Sequence, residues 1–194
     1  MSDSASMTGH RGRALLVLVG FVVLQMGLAW YPFEYDPPHF VDNTVAVSGG
    51  AATFSGTSVL LAPKRAPWFG PMASASSLVV ELRARSTTTP QYGPARLLAV
   101  SRTLRRTDLV IGQQGDALEV RARRSGSGLD GTPSIQIPGL FASGAVHDIV
   151  VRLDGAGVEI AVDGAVVAKD PGDASPRTQW DAKARLALGD DVNY

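Results

Sequence analysis

Cysteine is absent from all 194 residues. That one absence removes disulfides, thiolate zinc sites, iron–sulfur ligation and cysteine nucleophiles together. Net charge is also lacking, with 18 Lys+Arg against 18 Asp+Glu. A nucleic-acid binder needs surplus cations to neutralise phosphates, so that partner class is set aside. Histidine is sparse: His10, His39 and His147 have no His or Glu partner at helical spacing, so no histidine metal site is expected. No G-x-S-x-G stands in the chain, and no glycine loop at a strand–helix junction could cradle a phosphate. Glu34-Tyr35-Asp36 begins an E-x-D-x-x-E glycosidase pattern, but His39 occupies the place of the third acid. Catalysis is therefore not expected, and neither is a cofactor. Lysine and glutamate are scarce within their classes: 3 cations are Lys and 4 acids are Glu, the rest being Arg and Asp.

One long apolar run is present, Ala14–Trp30, interrupted only by Gln25. Extended through Tyr31 and Phe33, it reaches the ~20 residues a helix needs to cross a hydrocarbon core. No polar stripe marks one face as solvated. Trp30, Tyr31 and Phe33 form an aromatic cluster at one end, with Arg11 and Arg13 at the other. The positive-inside rule then keeps residues 1–13 in the cytoplasm, makes residues 14–33 the span and exports the remainder of the chain. A cleaved signal peptide is the competing reading, with Gly27-Leu28-Ala29 as its cleavage site, and Trp and Tyr directly after the cut count against it. Gly20, Gln25 and Gly27 are the candidate helix-packing residues, because small residues and an amide let membrane helices approach and hydrogen-bond. Residues 34–43 are proline-rich and should form a stiff linker.

Beyond residue 43 the apolar period becomes two. Leu78, Val80, Leu82 and Ala84 alternate with Val79, Glu81, Arg83 and Arg85, and similar runs surround Val120, Val151 and Ile160. Turn signals separate them: Ser48-Gly49-Gly50, Asp130-Gly131, Asp154-Gly155 and Asp163-Gly164. About a dozen short strands at hairpin spacing predict an all-β antiparallel sandwich or barrel over residues 44–194. The faces are set by the pattern: Val151 and Ile160 inward on adjacent strands, Arg152 and Glu159 outward.

His147–Ala168, reading HDIVVRLDGAGVEIAVDGAVVA, resembles the core hairpin of LamG-like, concanavalin A-like jelly-roll domains. Ser48–Pro63, Ser77–Ser86 and Asp108–Arg123 are similar to that family's other strands. An apolar N-terminal segment before such a sandwich also resembles bacterial membrane proteins in which a LamG-like domain accompanies VanZ-like spans. The resemblance implies glycan or protein binding, with calcium bound in some members. Such domains continue with one more strand after Leu186–Leu188, whereas this chain stops at Tyr194. An uncovered sheet edge is therefore expected beside Thr44–Val47, to be shielded by the linker, a partner strand or further residues.

Aromatic and basic side chains are the candidate contact residues. Trp68, Phe69 and Trp180 are loop aromatics suited to a sugar or a partner protein. Arg83, Arg85, Arg121 and Arg123, with Arg96, Arg102, Arg105, Arg106 and Arg124, would form a basic face if their strands adjoin. Loop acids Asp154, Asp163, Asp170, Asp173, Asp190 and Asp191 are candidate oxygen ligands for calcium, although no D-x-D-x-D-G spacing is present. The reading that results is a non-catalytic exported sandwich on a single-pass anchor in the bacterial inner membrane. It would serve as an accessory subunit of a larger membrane assembly, such as a respiratory or photosynthetic one. The alternative is a membrane-tethered carbohydrate-binding module.

Overall fold

A computed structural model of the chain describes residues 16–26, 45–54, 58–63, 66–88, 91–103 and 105–189. The chain divides into two compact units, Met1–Pro38 and His39–Tyr194. In the first unit, residues 16–26 form helix α1, and every one of them is exposed. Among the described residues no helix is long and apolar enough to cross a membrane. The rest of the 14–33 span lies outside the described residues, as do Gly27, the aromatic cluster, the linker and Asp190 and Asp191.

The second unit is antiparallel β structure. A short ribbon is made by β1 (Ala46–Ser48) and β2 (Ala51–Thr53). The chain continues through β3 (Leu60–Leu61), helix α2 (Phe69–Ala73), β4 (Leu78–Ala84), β5 (Gln91–Thr103), β6 (Arg106–Gly115) and β7 (Ala117–Ala122). After these come β8 (Ile135–Ile137), β9 (His147–Asp154), β10 (Gly157–Val162), β11 (Ala165–Pro171), helix α3 (Pro176–Gln179) and β12 (Arg185–Leu188). One sheet has four strands in the order β11-β10-β9-β4, and the other six in the order β3-β12-β5-β6-β7-β8.

The two sheets share one core, which makes the unit a sandwich. Leu98, Val100, Leu109, Ile111, Leu118 and Val120 of the six-stranded sheet pack with Ile149, Val151, Leu153, Val158 and Ile160 of the four-stranded one. Period-two alternation produces this directly, since every second side chain of each strand points to the same face. Turn chemistry fixes the register. Asp163 and Gly164 both have positive φ, 51° and 83°, as the two central residues of a tight hairpin turn require. Asp163 also binds its surroundings: Oδ1 accepts the Asp148 N–H at 2.9 Å, and Oδ2 lies 2.8 Å from His147 Nδ1. His147 is thus a strand residue held by a turn carboxylate.

A further strand after Leu186–Leu188 would fall outside the described residues. Leu186–Leu188 belong to β12, which pairs with β5 on one side and with β3 on the other. The part of Thr44–Val47 that is described, from Val45, does not edge either larger sheet, because β1 pairs with β2 in the separate ribbon.

Candidate functional site

Among the described residues, the outer face of the six-stranded sheet carries a concentration of interacting charge. Residues of β6 and β7 that alternate with the core strand positions must point away from it. Register places Arg121 opposite Val110, Val110 opposite Ala99, and Ala99 opposite Ala187. Glu119 lies opposite Gly112 in the neighbouring row. Ala99, Ala187 and Val110 are buried although they lie on the outer face.

Asp108 is held on this face by hydrogen bonds, whereas Glu119 has only a nearby guanidinium whose Nε makes no hydrogen bond. Glu119 Oε2 lies 3.8 Å from Arg121 Nε. Asp108 Oδ1 accepts from Arg123 Nη1 at 2.9 Å, and its Oδ2 accepts the Asp181 N–H at 2.9 Å. Asp181 in turn lies 3.3 Å from Arg102 Nη1 and 3.9 Å from Arg106 Nη1. A connected network therefore runs from Arg123 through Asp108 and Asp181 to Arg102 and Arg106.

Burial dominates at Asp108, whose side chain is only 1% exposed. Desolvation pushes its pKa from 3.8 to about 6, against the Asp181 N–H and the Arg123 guanidinium, which favour the ionised form. Asp181 goes the other way. Burial opposes its ionisation, but the Lys183 N–H and the Arg102 and Arg106 guanidiniums outweigh that and hold it below the usual value.

The nine arginines expected to form a basic face if their strands adjoin do not share one face. β4 pairs with β9, which puts Arg83 on the four-stranded sheet, and β7 lies between β6 and β8 in the other sheet. Arg83 meets Asp148 at 3.5 Å with both side chains largely exposed, while Arg85 is an exposed residue just past the end of β4. Arg121 and Arg123 belong to the network above. Arg124 faces a third environment: it is buried and reaches the carbonyls of Ala122, Gly131 and Pro133 and the Asp170 carboxylate.

Of the three candidate aromatics, Trp68 alone is exposed, at 44%. Phe69 is the first residue of α2 and is buried in the core, and Trp180 packs against that core from the end of α3. Phe69 lies in a short helix rather than a loop, whereas Trp180 is the loop residue that follows α3. Of the helix-packing candidates, Gly20 and Gln25 lie in α1 and Gly27 falls outside the described residues. At 3.6 residues per turn Gln25 lies about 140° round the axis from Gly20, so those two cannot share one packing stripe.

The turn acids are engaged locally. Asp154 Oδ1 accepts the Ala156 and Gly157 N–H groups at 2.8 and 3.2 Å. Asp173 Oδ1 accepts the Ser175 N–H at 3.0 Å and Oδ2 accepts the Thr178 hydroxyl at 2.8 Å. Among the described residues no group of three His, Asp or Glu could hold a metal ion.

Sequence reasoning passed over Asp108, Asp181 and Glu119 as functional residues. Asp108 had one legible signal, an acid opening the apolar run Leu109–Ile111. Compared with known protein families and with curated proteins, the chain matches none.

Proposed function

We propose that this chain is a non-catalytic binding module: a LamG-like, concanavalin A-like sandwich held at the bacterial inner membrane by one N-terminal span. In this reading it is an accessory subunit of a larger membrane assembly. The observation that carries it is the outer face of the six-stranded sheet, where Arg123, Asp108, Asp181 and Arg102 are already hydrogen-bonded to one another. Such an array is preorganised for a polar protein surface, because little side-chain freedom is left to lose on docking. Arginine suits that task through its planar fork of donors. Anchoring is supported by α1, whose eleven described residues are apolar all round except for Gln25 and all exposed. A helix with no polar face needs an apolar surrounding.

The test is detergent extraction of the tagged full chain, followed by size-exclusion chromatography and mass spectrometry of co-eluting membrane proteins. A defined partner should co-elute with the natural chain and be lost from Arg121→Glu and Arg123→Glu variants that keep their near-UV circular dichroism. Partner retention by both variants would remove this face from the proposal.

Trp68 favours a second reading, a tethered carbohydrate-binding module. Its exposed ring stands edge-on to Phe69 at a centroid distance of 6.2 Å, so one side is braced while the other is open to a sugar. Glycan-array binding abolished by Trp68→Ala, with no co-eluting protein, is the result that selects this reading.

A further inference from the structure

The four sheet edges of the sandwich are unequally guarded. β3 has 2 residues and β8 has 3, too few to template a long pairing. β11 is longer, but its register with β10 shifts between Ile160 and Ala161, which leaves Val167 as an extra residue. It also carries Lys169 and ends at Pro171. Bulges, lysines and prolines are the devices that stop an edge strand from recruiting another chain. β4 carries none of them. Its 7 residues, Leu78–Ala84, run in unbroken register with β9. Among the described residues no strand pairs with its other edge.

We infer that β4 is the edge through which two copies of this chain pair, antiparallel, about a two-fold axis at Leu82. The two four-stranded sheets then form one sheet of eight strands. Charge selects the register. Centring on Glu81 would oppose Glu81 to its own copy, and centring on Arg83 would oppose two arginines; like charges directly opposite are destabilising. Centring on Leu82 instead sets Glu81 against Arg83 of the second copy, twice. On the core side it sets Leu82 against Leu82 and Val80 against Ala84.

The single chain shows what this pairing would add. Glu81 has the apolar Val150 as its cross-strand neighbour on β9, so it meets no cation there. Arg83 lies beside Asp148, and in the dimer it would stand between two carboxylates. Val79, 45% exposed on the same face, would be covered by the stem of Arg85 from the second copy. A 7-residue strand buries less than a standard permanent interface, so the association is weak and reversible.

The natural chain has no cysteine, so an introduced pair reports register without background. Full-length Glu81→Cys and Arg83→Cys chains are mixed in detergent micelles and oxidised. Directly opposite residues have Cα atoms within disulfide reach and diagonal ones do not, so the mixture should cross-link about tenfold faster than either variant alone. Sedimentation equilibrium supplies the second readout. Glu81→Arg or Arg83→Glu alone should weaken the dimer about tenfold, and the double exchange should restore it to within about threefold. Equal cross-linking in all three samples, or a dimer indifferent to charge reversal, would overturn the inference.

Discussion

Val151 and Ile160 face one another across β9 and β10, and both are fully buried. One residue further along, Arg152 and Glu159 are opposed on the outer face of the same pair of strands. Glu159 also pairs with Lys169 at 2.6 Å. Truncating Val151 or Ile160 to Ala should cost about 2–4 kcal/mol through lost burial and a residual cavity. Arg152→Ala and Glu159→Ala should stay within about 1 kcal/mol, as exposed pairs do. Urea unfolding of the four variants checks this. A larger loss from the charged pair would mean that the faces are exchanged.

Two glycines of one turn should behave differently. Gly157 has φ 142°, and a Cβ there would run into the Asp170 carbonyl of β11. Gly155, two residues earlier, faces open space. Gly157→Ala should cost about 2–3 kcal/mol, because a strand backbone rather than a flexible side chain has to move. Gly155→Ala should change stability by no more than about 1 kcal/mol, with a small gain from a stiffer unfolded chain. Thermal unfolding of both variants separates them, and equal effects would refute the close approach.

Local pattern and long-range pairing account for what was legible. The β9–β10 and β10–β11 hairpins arise from alternation plus Asp-Gly turns, because each pairing is closed within a few residues. The grouping of Arg83 with Arg121 failed because sheet membership is decided far along the chain. β4 pairs with β9, whose first residue is His147, and no local property of either strand announces that partner. Asp108 was missed for the same reason, since it receives its second hydrogen bond from Asp181, 73 residues away. Phe69 reads as a loop residue because a helix of 5 residues is too short to show a helical period.

Asp108 should give stability a measurable pH dependence. Its folded pKa is raised from 3.8 to about 6, so between these values the folded state holds a proton that the unfolded state releases. Stability from this group is therefore greatest in acid and falls as pH rises from about 4 through about 6, by up to about 3 kcal/mol. Asp181 and Asp130 have lowered values and act in the opposite sense, losing stability as pH falls through their own folded pKa. The comparison must therefore be with Asp108→Asn, which keeps an acceptor for Arg123 and removes the titration. Relative to the natural chain, that variant should gain stability steadily from pH 4 to pH 7 in denaturant titrations. Parallel curves would show that Asp108 ionises in the folded protein as it does in water.

Arg124 is the last residue whose role differs from its sequence appearance. In the sequence it is one more arginine after a polar strand face, yet its side chain is 7% exposed and pairs with Asp170 of β11. Its guanidinium also donates to Ala122 O at 3.2 Å and to Pro133 O at 3.2 Å. It thereby ties the segment after β7, in the six-stranded sheet, to the edge strand of the four-stranded one. The Ser125 N–H donating to Asp173 O at 2.8 Å reinforces the same junction. Arg124→Ala should cost about 3 kcal/mol, because the carbonyls and carboxylate it serves lose a buried cation. Arg124→Lys should recover little of this, since a single ammonium cannot reach in several directions at once as the planar fork does. Asp170→Ala should also destabilise, leaving the guanidinium buried without its counter-charge. The two single losses should exceed the loss in the Arg124→Ala, Asp170→Ala double variant when summed, and that non-additivity identifies a coupled pair. Strict additivity in denaturant unfolding would mean that Arg124 and Asp170 act independently, and the tie between the sheets would have to lie in the backbone contacts alone.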